Sequence, residues 1–161
     1  MGGVPDLRDF ETFLFHEARC LDVGRFEDWL DLFTADGWYW VPSQPDQENP
    51  RDTVSLIYDD RRLLETRVRR LSRPGAHDRS PPSRTSRIIG NVTVEEADAP
   101  ADSWLIGSRF QMVEHRRDCQ RVFAGACRHR LERHDGHFRI RWKRVDLVNC
   151  DGMMEGLAVP F

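Results

Sequence analysis

The sequence predicts an α+β domain, with helices laid on one face of a curved, mostly antiparallel sheet. Three observations carry this reading. Apolar residues recur at helical spacing in two stretches before residue 34 and again over 59–72. Four strand-like runs then follow one another from residue 84 to residue 148. The last two runs are joined by His134-Asp135-Gly136-His137, and Asp-Gly is the strongest short hairpin signal. Helices first and a meander second point to α+β rather than to alternating α/β units.

The first helix is expected over residues 6–22. Leu7, Phe10, Leu14, Ala18 and Leu21 share one face, and Asp6 after Pro5 is placed to cap it. Gly24 interrupts. Phe26, Trp29, Leu30 and Phe33 then fall at i, i+3, i+4 and i+7, the pattern of a second short amphipathic helix. Asp36-Gly37 reads as a turn and "WYWVP" (38–42) as a strand stopped by Pro42. Residues 43–53 are polar, carry Pro45 and Pro50, and read as a loop. "TVSLIY" (53–58) fits a strand or a helix lead-in. From 59 to 72, Leu64, Val68 and Leu71 line one helical face and Arg fills the other. Pro74, Gly75, Pro81 and Pro82 exclude regular structure from 72–83. The four strands are "RTSRIIGNVTVEE", "SWLIGSRFQMVEHRR", "RVFAGACRHRLERH" and "HFRIRWKRVDLV", with turns at "EADAPAD" and "RRDCQ". The tail "DGMMEGLAVPF" is apolar enough to dock on the sheet or on a neighbour.

At 161 residues the chain matches the size of one domain, 1–161, with a real core. The hydrophobic share is 39 % and the charged share 32 %, as in globular proteins with charge-rich surfaces. No apolar run approaches the ~20 residues of a membrane helix, and "MGGVPDLRDFETF" has no basic segment followed by an apolar one, so no secretory signal is expected. Cys20, Cys119, Cys127 and Cys150 are scattered, without a CxxC pair, and read as reduced structural thiols. Charge is distributed unevenly. The net charge is −3, yet residues 61–87 hold nine Arg against Glu65 and Asp78. Lys143 is the only lysine, so the chain meets its carboxylates almost entirely with the planar, bidentate Arg donor.

Several chemistries can be weighed against these residues. Cys127-x-His129 has the form of half a Rieske ligand set, which needs two Cys and two His. Cys150 is followed by "DGM", so no second half exists, and positions 127 and 129 simply share one face of a strand. His129 and His134 could begin a two-His, one-carboxylate site, but His134 falls at the hairpin tip; His16 and His77 have no local partner. Asp31, Tyr39, Tyr58, Asp60 and His115 are candidate wall residues for an acid/base enzyme with a pocket inside the sheet. Nucleic-acid binding is disfavoured by the acidic balance and by the absence of aromatic residues interleaved with the Arg cluster. A third reading of that cluster is a protein interface, where Arg is enriched.

"WLDLFTADGWYWVP" (29–42), "SLIYDDRRLLETRVRRL" (55–71), "PPSRTSRIIGNVTV" (81–94) and "FAGACRHRLER" (123–133) occur in one order. Together they resemble the small (β) subunit of bacterial aromatic-ring-hydroxylating dioxygenases, from about Phe13 to Leu147. Tyr58-Asp59-Asp60, Arg67-Val68-x-Arg70-Leu71 and Pro82-Ser83-Arg84-Thr85-x-Arg87 carry the resemblance in combination; Ser86 stands where the family often has another basic residue. The resemblance implies a cone-shaped, nuclear-transport-factor-two-like (cystatin-like) fold and a cytoplasmic, non-catalytic subunit with no cofactor or metal of its own. It implies a large (α) subunit bearing a Rieske [2Fe-2S] cluster and mononuclear Fe(II), an α3β3 assembly built on a β trimer, and a reductase, often with a ferredoxin, supplying electrons from NAD(P)H. The reaction implied is addition of both atoms of O2 to an aromatic ring, giving a cis-dihydrodiol. On that reading Arg67, Arg70, Arg84 and Arg87 are expected at subunit contacts, with Asp59 and Asp60 as mates. The alternative is a stand-alone isomerase- or dehydratase-like pocket enzyme.

Overall fold

A computed structural model describes residues 3–73, 81–154, 156–157 and 159–161. His77 and most of the Pro/Gly loop lie outside the described residues. Helix α1 (Leu7–Asp22) starts at Asp6, whose carboxylate accepts from the Asp9 N–H while the Asp9 side chain accepts from the Asp6 N–H, a reciprocal capping box. It buries Phe10, Leu14, Ala18 and Leu21 of the predicted face, and Glu17 with them; Leu7, expected on that face, is exposed. Gly24, with φ of 77°, turns the chain into α2 (Phe26–Asp31). Helix α3 (Arg61–Ser72) is capped by Asp60, which accepts from the Leu63 N–H at 2.9 Å, and it buries Leu64 and Val68. Asp60→Ala is expected to cost about 1 kcal/mol of stability, read as a shifted urea midpoint with an unchanged slope.

The strands are β1 (Phe33–Val41), β2 (Ile57–Asp59), β3 (Arg84–Asp98), β4 (Ser103–Arg116), β5 (Cys119–His134) and β6 (His137–Leu147). They form one six-stranded sheet in the order β2-β1-β6-β5-β4-β3. The meander β3 to β6 is antiparallel, as expected. Strand β1 joins β6 in parallel, because the chain reaches it from the helices and not from a hairpin.

Three local expectations change. Phe33, expected at the end of the second helix, lies beyond it and opens β1. Asp36-Gly37 does not end a strand; it lies within β1, where the register against β6 shifts between Phe33 and Trp38. A Cβ at Gly37 would stand 3.1 Å from the backbone oxygens of Ile140 and Thr34, so the Asp-Gly pair serves a close backbone approach in a bulge, not a turn. "TVSLIY" resolves into a loop and the short edge strand β2.

The helices cover one face of the sheet, and the core lies between. Trp29, Tyr39, Leu64, Ile106, Met112, Leu131, Ile140 and Val145 are among its fully buried residues. The sheet bends around them as a cone. The tail docks into this chain: Val159 and Phe161 belong to the same apolar cluster.

Candidate functional site

Three elements send polar side chains into the apolar interior. Glu17 from α1, His129 from β5 and Lys143 from β6 are each buried. The register that opposes His129 to Lys143 also opposes Lys143 to Tyr39, so alternation places all three side chains on the inner face. Glu17 Oε1 lies 2.8 Å from His129 Nε2, and Oε2 accepts from Lys143 Nζ and Trp29 Nε1, both at 3.0 Å. Burial would raise the pKa of Glu17. The charge of Lys143, then His129 and the hydrogen bonds from His129 and Trp29, outweigh it and hold the carboxyl far below the usual range. Burial pushes His129 down, against the pull of Glu17. Its Nε2 faces a carboxylate and carries a proton. Its Nδ1 has no partner among the described residues. Lys143 Nζ also donates to the Phe161 backbone oxygen at 2.6 Å, and the Phe161 N–H donates to Tyr39 Oη at 2.9 Å. A cavity of about 20 Å³ remains beside this cluster, room for about one water.

The arginine-rich segment separates into residues that hold the chain together and residues that face outward. Arg61 donates to the backbone oxygens of Leu30 and Phe33, both at 3.1 Å, and ties α3 to the end of α2 and the start of β1. Arg67 forms a forked pair with buried Asp59, at 2.6 and 3.3 Å. Burial lowers the Arg67 pKa, but the hydrogen bond and charge of Asp59 outweigh it and the net direction is up. Asp60 serves α3 as its cap. Arg87 is buried on the inner face. It pairs with Asp22 at 2.5 Å, reaches Thr85 Oγ1 at 2.9 Å, and donates to the Pro160 oxygen. Arg84 is exposed on the outer face of β3, with Nη2 3.1 Å from His115 Nδ1. Arg70 is exposed on α3. Around Arg84 the outer face carries exposed Ile88 and Val122, at 71 and 63 % exposure, and Val113, which opposes Ser86 and Val122 in register.

The pocket residues expected from sequence do not converge. Tyr39 alone is inside; Tyr58 is half exposed on the edge strand, Asp31 is exposed at the end of α2, Asp60 caps a helix and His115 holds Arg84. His16 Nε2 lies 3.7 Å from Cys20 Sγ, and His134 bonds Glu132 at the hairpin. Cys127 and His129 share the inner face of β5, but they do not suit an iron–sulfur cluster. Burial pushes the Cys127 thiol up to about 12, whereas a ligand must be a thiolate, and His129 already holds Glu17. Among the described residues no three of His, Cys, Asp and Glu gather as a metal-binding group. The site that sequence reading missed is Glu17–His129–Lys143. Its one local signal is a Glu on the apolar face of α1.

A second aromatic group lies on the outer face where β1, β2 and β6 meet. Trp38 stacks on Trp142 with ring centroids 5.3 Å apart, Tyr58 meets Trp38 edge-on, and Arg144 covers Trp40 at 4.4 Å.

Comparison with known proteins agrees with this architecture. The family model described as "Ring hydroxylating beta subunit" matches residues 16–151. The small oxygenase component of the p-cumate 2,3-dioxygenase system of Pseudomonas putida is 34 % identical over 155 residues, which cover 89 % of this chain and 85 % of that protein. The β subunit of an N,N-dimethyl phenylurea N-demethylase from a Sphingobium strain is 38 % identical over 101 residues, covering 58 % of this chain and 57 % of the relative. The crystal structure of the β subunit of benzoate 1,2-dioxygenase from Burkholderia mallei superimposes with a TM-score of 0.77 at 31 % identity, covering 92 % of this chain and 94 % of that one. A match across most of the chain, joined to the same cone of helices on a curved sheet, means that the chain belongs to the ring-hydroxylating β-subunit family.

Proposed function

We propose that this chain is the non-catalytic, structural β subunit of a multicomponent aromatic-ring-hydroxylating dioxygenase of the cytoplasm. It supports a large α subunit that holds the Rieske [2Fe-2S] cluster and the mononuclear Fe(II). In this reading β chains form a trimer within an α3β3 assembly, and electrons reach α from NAD(P)H through a reductase, often with a ferredoxin. The complex adds both atoms of O2 to an aromatic ring in aromatic-compound catabolism. The observation that carries the reading is the family match over residues 16–151. The names of the relatives support placing the chemistry outside this subunit: β chains of one family serve a cumate dioxygenase and a phenylurea N-demethylase. The filled interior supports it as well, because Phe161 stands where a pocket enzyme would need open space.

The test is capture of the chain from its native cells, with intact-complex mass and iron analysis. A larger iron-bearing partner in equal stoichiometry is the expected result. An iron-free assembly of this chain alone, from cells growing on an aromatic compound, would overturn the proposal.

For the interface, the reading rests on Arg84 and Arg70, which point away from the chain's own core, and on the apolar side chains beside Arg84. Arg87 braces β3 behind Arg84, and Asp59, Asp60 and Arg67 brace the opposite, β2–α3 edge that carries Arg70. Arg84→Ala is expected to weaken assembly at least tenfold in dissociation constant while the isolated chain keeps its melting temperature. Normal assembly of that variant, measured by mass photometry across a dilution series, would remove Arg84 from the interface.

A further inference from the structure

The outer face of the sheet carries Arg109 on β4, Arg128 and Arg130 on β5 and Arg144 on β6, each one position away from an inward-facing residue. Three of them meet carboxylates of this chain: Arg128 pairs with Glu95, Arg130 with Glu96 and Arg144 with Asp146. Arg109 is exposed and has no ion-pair or hydrogen-bond partner among the described residues. Its register partners are Gly90 on β3 and Ala126 on β5, and neither offers it an acceptor side chain. A Cβ at Gly90 would meet nothing within 4 Å, so the space beside the guanidinium is open. That space is a recess of about 480 Å³, in which Arg109 is the only charged residue among those described. Exposed Ile88 and Val148 give it apolar walls, and Asn91 and Gln111 border it as well. A larger recess of about 660 Å³ shares Asn91, Arg109 and Val148 with it, but Asp46, Glu95 and Asp146 line that one and would repel a further carboxylate.

We propose that the recess between Ile88 and Val148 receives a carboxylate side chain carried on an apolar segment of the large partner subunit, and that Arg109 is its anchor. This rests on the reading of the chain as a subunit. Charge complementarity selects the carboxylate. Arg109 is a planar, forked donor that its own chain leaves unanswered, and a carboxylate matches that fork with two parallel hydrogen bonds. The side-chain amides of Asn91 and Gln111 add neutral donors at the same place. Ile88 and Val148 select apolar neighbours on either side of the carboxylate. A free small molecule is a poorer occupant, because such a ligand needs walls around most of its surface, and this recess is a groove open on the surface of the sheet. Ile88 is also one of the apolar side chains beside Arg84, so the recess continues the face on which Arg84 lies.

The test uses the complex of this chain with its large subunit. The dissociation constant is measured by mass photometry across a dilution series, with the melting temperature of the isolated chain as control. Arg109→Ala should weaken assembly about tenfold and leave melting unchanged, as at an exposed position. Gly90→Glu places a carboxylate opposite Arg109 on the chain itself, where opposite charges pair across strands. It should weaken assembly as Arg109→Ala does, whereas Gly90→Gln, of the same shape without the charge, should weaken it less. Equal losses with Gly90→Glu and Gly90→Gln overturn the carboxylate. If the Gly90 variants do not fold, Arg109→Glu decides: a loss no larger than that of Arg109→Ala overturns the carboxylate. A change in self-association of the isolated Arg109→Ala chain, with the complex unaffected, gives the recess to a second copy and overturns the large subunit as occupant. Saturable benzoate binding to the isolated chain, lost in Arg109→Ala, gives it to a small ligand and overturns the partner segment. Normal assembly of Arg109→Ala beside an intact parent complex overturns this proposal alone, whereas a parent chain with no large subunit overturns the subunit reading and this proposal with it.

Discussion

Glu17→Leu is expected to be the most damaging single substitution in this chain, lowering stability by about 3–5 kcal/mol, the usual cost of leaving a buried ion without its partner. For a domain of this size that lowers the melting temperature by roughly 6–20 °C. The reason lies in what Glu17 holds. It accepts from Trp29 and Lys143, and it faces His129, within a region closed to solvent. Leucine matches its surroundings but leaves the Lys143 ammonium facing only the Phe161 oxygen and the face of Tyr39. Adding Lys143→Met removes the stranded charge, so the double variant should be more stable than Glu17→Leu by about 1 kcal/mol or more. If the two losses simply add, the pair is not coupled.

The same cluster gives stability a pH dependence of definite sign. His129 is held below its ordinary value of 6.5. The unfolded chain therefore takes up its proton first, and the His129 contribution is complete above about 6.5 and declines as the pH falls toward the folded-state value. Glu17 is depressed from 4.5; its contribution is complete above that value and is lost on further acidification. Urea midpoints should fall from pH 7 to pH 5, and His129→Gln should flatten that slope. An unchanged slope would assign the effect to other histidines.

Much of the fold was legible in the sequence because it rests on local periodicity. The apolar stripe of α1, the cap at Asp6 and the Asp-Gly hairpin between β5 and β6 all act within a few residues. The bulge at Gly37 was not, because the residues that crowd it, Thr34 and Ile140, include one from β6, a hundred positions away. Glu17, His129 and Lys143 were missed for the same reason. They are separated by 112 and 126 positions from Glu17, and only the register of β5 on β6 and of β6 on β1 unites them. A composition count could still have flagged Lys143, the single lysine in a chain that otherwise uses Arg. The arginines of "PPSRTSR" held more than the motif alone conveys. Arg84 and Arg87 are three apart, and in a strand an odd separation puts two side chains on opposite faces.

That parity yields the second large effect. Arg87→Met should destabilise the isolated chain by about 2–4 kcal/mol, since it strips buried hydrogen-bonded acceptors of their donor. Arg87 joins Asp22 at the end of α1, Thr85 on its own strand and Pro160 in the tail. Burial pulls its pKa down, and Asp22 works against that; the guanidinium remains charged in any case, so the methionine variant leaves Asp22 without its counter-ion. The tail should loosen first, seen as faster amide exchange at Phe161, whose N–H is otherwise held by Tyr39. Arg84→Ala should do the reverse: no more than about 0.5 kcal/mol on the isolated chain, as at an exposed position, and its main effect on assembly. The two substitutions therefore separate stability from association within four residues of one strand. If Arg87→Met left melting unchanged but abolished assembly, both arginines would act at the interface and the inward role of Arg87 would be wrong. If Arg84→Ala lowered melting as much as Arg87→Met, the contact between Arg84 and His115 would be structural, and the outer face of β3 would have to be assigned its partners afresh.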